Sequence, residues 1–265
     1  MRIAAAVAAL MIAATPAMVH ARPAPAPASA ADAQAAKDQA TVKKAMNSGD
    51  LGTIRKMVPA LETVASHAPA AYPLVERKGD TFIVRAYNLD QGLIASLLAS
   101  AAAEKAAPDQ KTQVVVDYNT YGLAYFLLGS AAVEARNYDK ASEWLDKGLA
   151  LQPENLMLVT EKGMVLTAQR RFADALALYD ATFEKAAAFL ISDQQGKARL
   201  LRARGFSLIE LGRLDEAEKA YRDSLEIEPD HGGAKHEIGY IAKLRAGGQA
   251  TGIQIMNGEE SMKAK

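Results

Sequence analysis

The sequence contains no cysteine, one tryptophan, four histidines and no excess of either charge, with 31 lysines and arginines against 31 aspartates and glutamates in 265 residues. Without cysteine there is no disulfide, no thiolate metal ligand, no thiol nucleophile and no cysteine to carry a lipid anchor, so side-chain packing must supply the stability. Balanced charge removes the broad basic surface that nucleic acid demands, and nucleic acid is not an expected partner. The histidines are scattered: His20 lies near the N-terminus, His67 stands alone, and His231 and His236 are separated by a spacing that does not align two imidazoles on one helical face. No HExxH, GxSxG, Walker or GxGxxG pattern occurs, and Glu259-Glu260 falls in a polar tail. No catalytic residue, metal ligand or cofactor is therefore assigned, and the chain is read as a non-enzyme.

Long apolar runs are also missing. Arg2 is followed by an apolar stretch from Ile3 to Ala14, then Pro16 and the small-residue site Val19-His20-Ala21. This is the layout of a secretory signal peptide cleaved after Ala21, which leaves no membrane span and places the mature chain in the periplasm or outside the cell. The alternative is a membrane anchor, but the run is shorter than the roughly 18–20 residues that cross hydrocarbon. Arg22 to Ala30, RPAPAPASA, favours extended polyproline II, either as a disordered N-terminus or as a stalk. The Pro/Ala-rich linker is drawn over 22–48.

A small α/β region follows over 49–118. Asn47-Ser48-Gly49-Asp50 is a turn and N-cap cluster, and Ile54, Met57, Val58, Leu61 and Val64 predict an amphipathic helix from Thr53 to His67 that Pro59 should kink or split. Leu74–Arg77 and Thr81–Arg85 flank the tight turn Lys78-Gly79-Asp80 and predict a hairpin. Leu93, Ile94, Leu97, Leu98 and Ala101 mark another helix, and Thr112–Asp117 a third strand. Such a region is expected to cap one end of whatever array comes next.

That array announces itself by spacing. Gly129, Gly163, Gly205 and Gly239 recur in similar helical contexts with a period of about 34 residues, stretched by about eight between Gly163 and Gly205. Ala141, Ala175 and Ala217 follow the first three glycines at one constant offset. The units run over Asn119–Pro153, Glu154–Ala187 and Gly196–Pro229, with a single helix over Ala234–Leu244, and Pro153 and Pro229 end the first and third. Glycine in a helix costs about 0.5–1 kcal/mol relative to alanine, so its recurrence at one register points to close helix crossings. A helical hairpin of this kind cannot bury its apolar face alone and must stack on its neighbours.

GSAAVEARNYDKASEWLDKGLALQP and GFSLIELGRLDEAEKAYRDSLEIEP carry this pattern most clearly, and the stretch Asn119–Leu244 resembles the tetratricopeptide repeat family. The implied fold is mainly α: an α-solenoid of three repeats plus a capping helix over 119–246, preceded by the small α/β segment and followed by a flexible tail over 247–265. Lys162 and Arg204 depart from the family's usual leucine before the glycine, and about eight extra residues lie within Phe183–Gly196. That insertion is expected either to lengthen the flanking helices or to re-angle the third repeat.

The resemblance implies that the first helix of each repeat lines a concave face. The outward positions are Phe126, Ser130 and Val133; Thr160, Met164 and Thr167; Arg199, Arg202, Phe206 and Ile209; and His236, Tyr240 and Lys243. Arg199 and Arg202 beside Phe206 suggest a clamp for a carboxylate and an apolar side chain, against the plainer reading of a solvated face whose arginines pair with neighbouring acids. No asparagine occupies these positions, which argues against the family's grip on a C-terminal carboxylate. The cluster Lys197, Arg199, Arg202, Arg204 and Arg213 is opposed by Asp215, Glu216, Glu218, Glu226, Glu228 and Asp230. The functional expectation is an adaptor of the bacterial cell envelope that binds another protein through a peptide segment. Alternatives are an assembly factor for a pilus or secretion machine, and a polysaccharide- or polyanion-binding module.

Overall fold

The computed structural model describes residues 29–86, 89–106, 113–185, 190–191 and 193–248. The leader, the RPAPAP spacer and the tail from 249 lie outside the described residues.

The stretch drawn as the distal linker is helical. Helix α1 (Ala30–Ser48) starts at a capping box in which Asp32 N–H donates to Ser29 Oγ at 3.1 Å and Ser29 N–H to Asp32 Oδ2 at 2.9 Å. Its alanines favour helix, and Val42 and Ala45 are fully buried. Gly49 turns the chain in the left-handed region (φ 58°) and Asp50 caps α2 (Leu51–Ser66), accepting from Gly52 and Thr53 N–H. Pro59 does not split α2. It sits on the exposed side, where its ring meets solvent, and the helix runs through it.

Strands β1 (Val75–Lys78) and β2 (Thr81–Ala86) form the expected antiparallel hairpin around Gly79, whose φ is 58°. Helix α3 (Leu89–Ala106) then crosses over to β3 (Gln113–Tyr118), which pairs parallel to β2, giving the order β1-β2-β3. Six helices in three antiparallel pairs follow: α4 (Thr120–Glu134) with α5 (Tyr138–Leu151), α6 (Leu156–Ala168) with α7 (Phe172–Lys185), and α8 (Gln194–Glu210) with α9 (Leu214–Ile227). Helix α10 (Gly232–Arg245) packs chiefly on α9, where Arg245 bridges Asp215 at 2.6 Å and also Glu218.

The α/β region is not the end cap. The array is closed at its N-terminal end by α1 and α2, both of which pack on α4, and the sheet region is an insertion between α2 and α4. Buried Asp38 ties this end together, accepting from Gln34 Nε2 at 2.9 Å and Tyr121 Oη at 3.2 Å and lying 3.1 Å from His67 Nδ1. Burial, with the nearby Asp38 charge, pushes the Tyr121 phenol up to about 12. A second buried cluster anchors the insertion: Gln152 Nε2 donates to the Tyr72 carbonyl at 3.0 Å and to Asn119 Oδ1 at 2.8 Å, while Asn155 Nδ2 donates to Gln152 Oε1 at 2.8 Å.

Each of the first three repeating glycines meets not the alanine that follows it at the constant offset but the side chain one helical turn beyond that alanine. A Cβ at Gly129 would stand 2.7 Å from Leu145, one at Gly205 would stand 2.7 Å from Tyr221, and one at Gly163 would overlap the Tyr179 hydroxyl. Ala141, Ala175 and Ala217 are themselves fully buried on the same helices. Each turn within a repeat also holds one left-handed residue, Arg136, Arg170 or Gly212, with φ of 55°, 60° and 73°. Gly49 fills the same role: in all four hairpins the second helix begins at the next position but one after the left-handed residue. The α1–α2 hairpin therefore stands in the place of a repeat.

Candidate peptide-binding face

Helices α4, α6 and α8 pack side by side, so residues on their shared outer side form one surface. One hydrogen bond ties the first two of these helices across that surface. Ser130 Oγ on α4 donates to Glu161 Oε1 on α6 at 2.9 Å, and the positive charge of exposed Arg199 on α8 is felt at that carboxylate without an ion pair between them. Burial pushes the Glu161 carboxyl above the ordinary carboxylate value, while the Ser130 hydrogen bond and Arg199 pull it back. Glu161 is the residue that sequence reasoning missed, because it lies one position away from the outward register.

On the same surface Met164 is 51% exposed and Phe126, Val133 and Thr167 are half-buried. Phe206 is half-buried and meets Phe172 edge-on with ring centroids 6.4 Å apart. Two of the expected lining residues offer little to a ligand: Thr160 is 5% exposed with its hydroxyl donated to the Leu156 carbonyl at 2.7 Å, and Ile209 is buried. Their positions turn toward the neighbouring helices.

The arginine pair does not form a free clamp. Arg202 Nη1 reaches Glu228 Oε2 at 2.5 Å at the end of α9, whereas Arg199 is exposed. Arg204 pairs with Asp180 and Arg213 with Glu216, so most of the basic cluster is matched by acids, as the plainer reading had it. On α10, His236 is exposed beside Glu237 at 3.3 Å, Lys243 is exposed, and Tyr240 packs against the cluster of Leu208, Ile209 and Tyr221. Trp144 lies away from this face, on α5, with Lys140 and Lys147 each 4.6 Å from its ring. His231 caps α10 by accepting from Ala234 N–H at 3.1 Å. Among the described residues no group of three or more His, Asp or Glu is placed to hold a metal ion, and no helix is long and apolar enough to cross a membrane.

Two family profiles, each described as tetratricopeptide repeat, match residues 123–155 and 155–229. Heat shock protein STI1 of Saccharomyces cerevisiae is 31% identical over 123 residues, which is 46% of this chain and 20% of that protein, so the match spans a fifth of the relative's length. Among solved structures, the first TPR of Spaghetti (RPAP3) bound to the HSP90 peptide SRMEEVD is 24% identical with a TM-score of 0.41, covering 47% of this chain and 93% of that one. MamA from Desulfovibrio magneticus RS-1 is 17% identical with a TM-score of 0.40, covering 61% and 88%. Residues 123–229 are thus tetratricopeptide repeats, arranged as an α-solenoid.

Proposed function

We propose that this chain is a non-enzymatic adaptor of the bacterial cell envelope whose concave face binds an extended segment of another protein. The observation that carries the reading is the shared surface of α4, α6 and α8, where exposed Met164 and half-buried Phe126 and Phe206 lie with the Ser130–Glu161 hydrogen bond and exposed Arg199. An apolar stripe beside a cationic group suits a segment that presents a large apolar side chain and an acidic one. With Arg202 held by Glu228, the acidic group falls to Arg199. The Arg2 to Ala21 leader supports export, and the envelope setting rests on it.

The test is affinity capture from an envelope extract by the wild-type chain and by Met164→Glu and Arg199→Glu variants, followed by measured binding of the captured protein. The expected result is a discrete protein bound by the wild type and lost from both variants. Equal capture by all three would overturn the reading. Binding that collapses as salt rises would instead favour a polyanion, since exposed charge pairs are screened beyond about 8–10 Å at physiological ionic strength.

A further inference from the structure

Helix α3 is packed inside out. Its side against the sheet is Gly92, Ala95, Ala99 and Ala103, while Leu93 (58% exposed), Ile94 and Leu97 (64% exposed) point away from it. A Cβ on Gly92 would stand 2.7 Å from Val116, which shows how closely helix and strand approach. Beside the helix, β3 is an edge strand paired only with β2 among the described residues, and Val115 and Val116 are about half exposed. Its centre is three valines with no lysine or proline of the kind that blunts exposed edges, and its one charge, Asp117, lies toward the strand's end. An apolar helix face and an open apolar edge, side by side, mark an interface.

Backbone parity shows what fits the edge. Gln113 N–H donates to the Asp80 carbonyl at 2.8 Å and Asn119 N–H to the Ala86 carbonyl at 2.9 Å, so odd-numbered amides of β3 point toward β2. Those of Val114 and Val116 therefore point outward, whereas Tyr118 N–H is already donated to Asp117 Oδ1 at 2.8 Å. We propose that two copies of this chain pair antiparallel through β3, with the two-fold axis at Val115. In that register Val114 of each copy faces Val116 of the other and their outward backbone groups satisfy one another. Gln113 then faces Asp117 of the second copy, an amide against a carboxylate, and no like charges meet.

The helices fit the same symmetry. Because α3 packs on both β2 and β3, it stands over the gap between them. With strands about 4.8 Å apart, that puts each α3 about one strand spacing from the axis, so the two helices lie about 10 Å apart, the normal helix packing distance. Their leucine faces meet across the axis on one side of a six-stranded sheet built from two three-stranded ones.

The cysteine-free sequence gives a clean test. Sedimentation of the full chain should show a dimer, and Leu97→Lys, at a position already exposed, should be monomeric with the wild-type circular dichroism spectrum, its melt lowered only by the lost association. Under mild oxidation Val115→Cys should form a disulfide-linked dimer, because residues opposed in an antiparallel pair have Cβ atoms about 4.5–5.5 Å apart, whereas Gln113→Cys, whose counterpart is Asp117, should not. A wild-type monomer at the highest soluble concentration would overturn the proposal and leave the face to a different protein or to residues 1–28. So would a dimer that survives Leu97→Lys and yields no cross-link at Val115.

Discussion

Arg204 Nε donates to Asp180 Oδ1 at 2.6 Å across the junction of the second and third repeats. One repeat earlier Lys162 meets Asp146 at 2.8 Å in the same way. Asp146 and Asp180 are separated by one ordinary period, whereas Lys162 and Arg204 are separated by the stretched one, so the insertion is absorbed between them without shifting the contact. Helix α7 has the same 14 residues as α5, while α8 has 17 against 13 for α6, and the remaining extra residues lie in the connection. The third repeat thus keeps the docking of the second. The pair is partly exposed, so a double-mutant cycle of Arg204→Ala with Asp180→Ala should give a coupling of about 0.3–1 kcal/mol that shrinks in high salt.

Gly163 and Gly239 occupy one register and should respond oppositely to alanine. A methyl at Gly163 meets buried Tyr179, which has no room to move, and Gly163→Ala should cost about 1–3 kcal/mol. At Gly239 nothing among the described residues lies within 4 Å, because no described helix follows α10 to pack against it. Gly239→Ala should stabilise by about 0.5–1 kcal/mol through helix propensity alone. Urea midpoints of the two variants check both signs.

The left-handed turn position gives a third expectation. Arg136 holds a φ of 55° that glycine adopts without steric penalty, as Gly212 does at the same place two repeats later. Arg136→Gly should raise stability by up to ~1 kcal/mol, and Gly212→Ala should lower it by about as much. Thermal melting resolves shifts of this size, about 2–4 °C per kcal/mol in a domain of this length.

Glu161 gives a pH dependence of unusual direction. Its folded carboxyl titrates above the ordinary value of 4.5, so the native state holds more protons than the unfolded one between the two values. The ionised form therefore opposes folding, a penalty absent below the ordinary value and complete above the raised one. Glu161→Gln should match wild-type stability at about pH 4 and exceed it at about pH 7, as measured by urea denaturation. A variant less stable at neutral pH would show that Ser130 and Arg199 outweigh burial.

The repeats are legible because close crossings admit only small residues, and glycine at a fixed interval is rare without such a reason. The first hairpin is hidden for the same reason reversed. Counting back from its left-handed residue, Val42 stands where Gly129, Gly163 and Gly205 do, and Ile54 where the alanines do. Pro59 and Leu128 likewise replace the acid and base of the later junctions. On the candidate face, one-helix periodicity finds Ser130, Met164 and Phe206 but cannot show that Glu228 captures Arg202 or that Glu161 joins Ser130. Those pairings connect different helices, and no register within one helix encodes them.

The position of the sheet has a practical corollary. It is threaded between Ser66 and Thr120, the ends of two helices that pack directly on each other, a step the chain makes elsewhere with the short connectors Gln152–Asn155 and Glu228–His231. The seam is thus a natural port: swapping the sheet for a connector of that same length, together with Gln152→Leu to silence the vacated anchor, would yield an uninterrupted helical array, and the same opening could carry foreign cargo beside an unchanged α4–α6–α8 face.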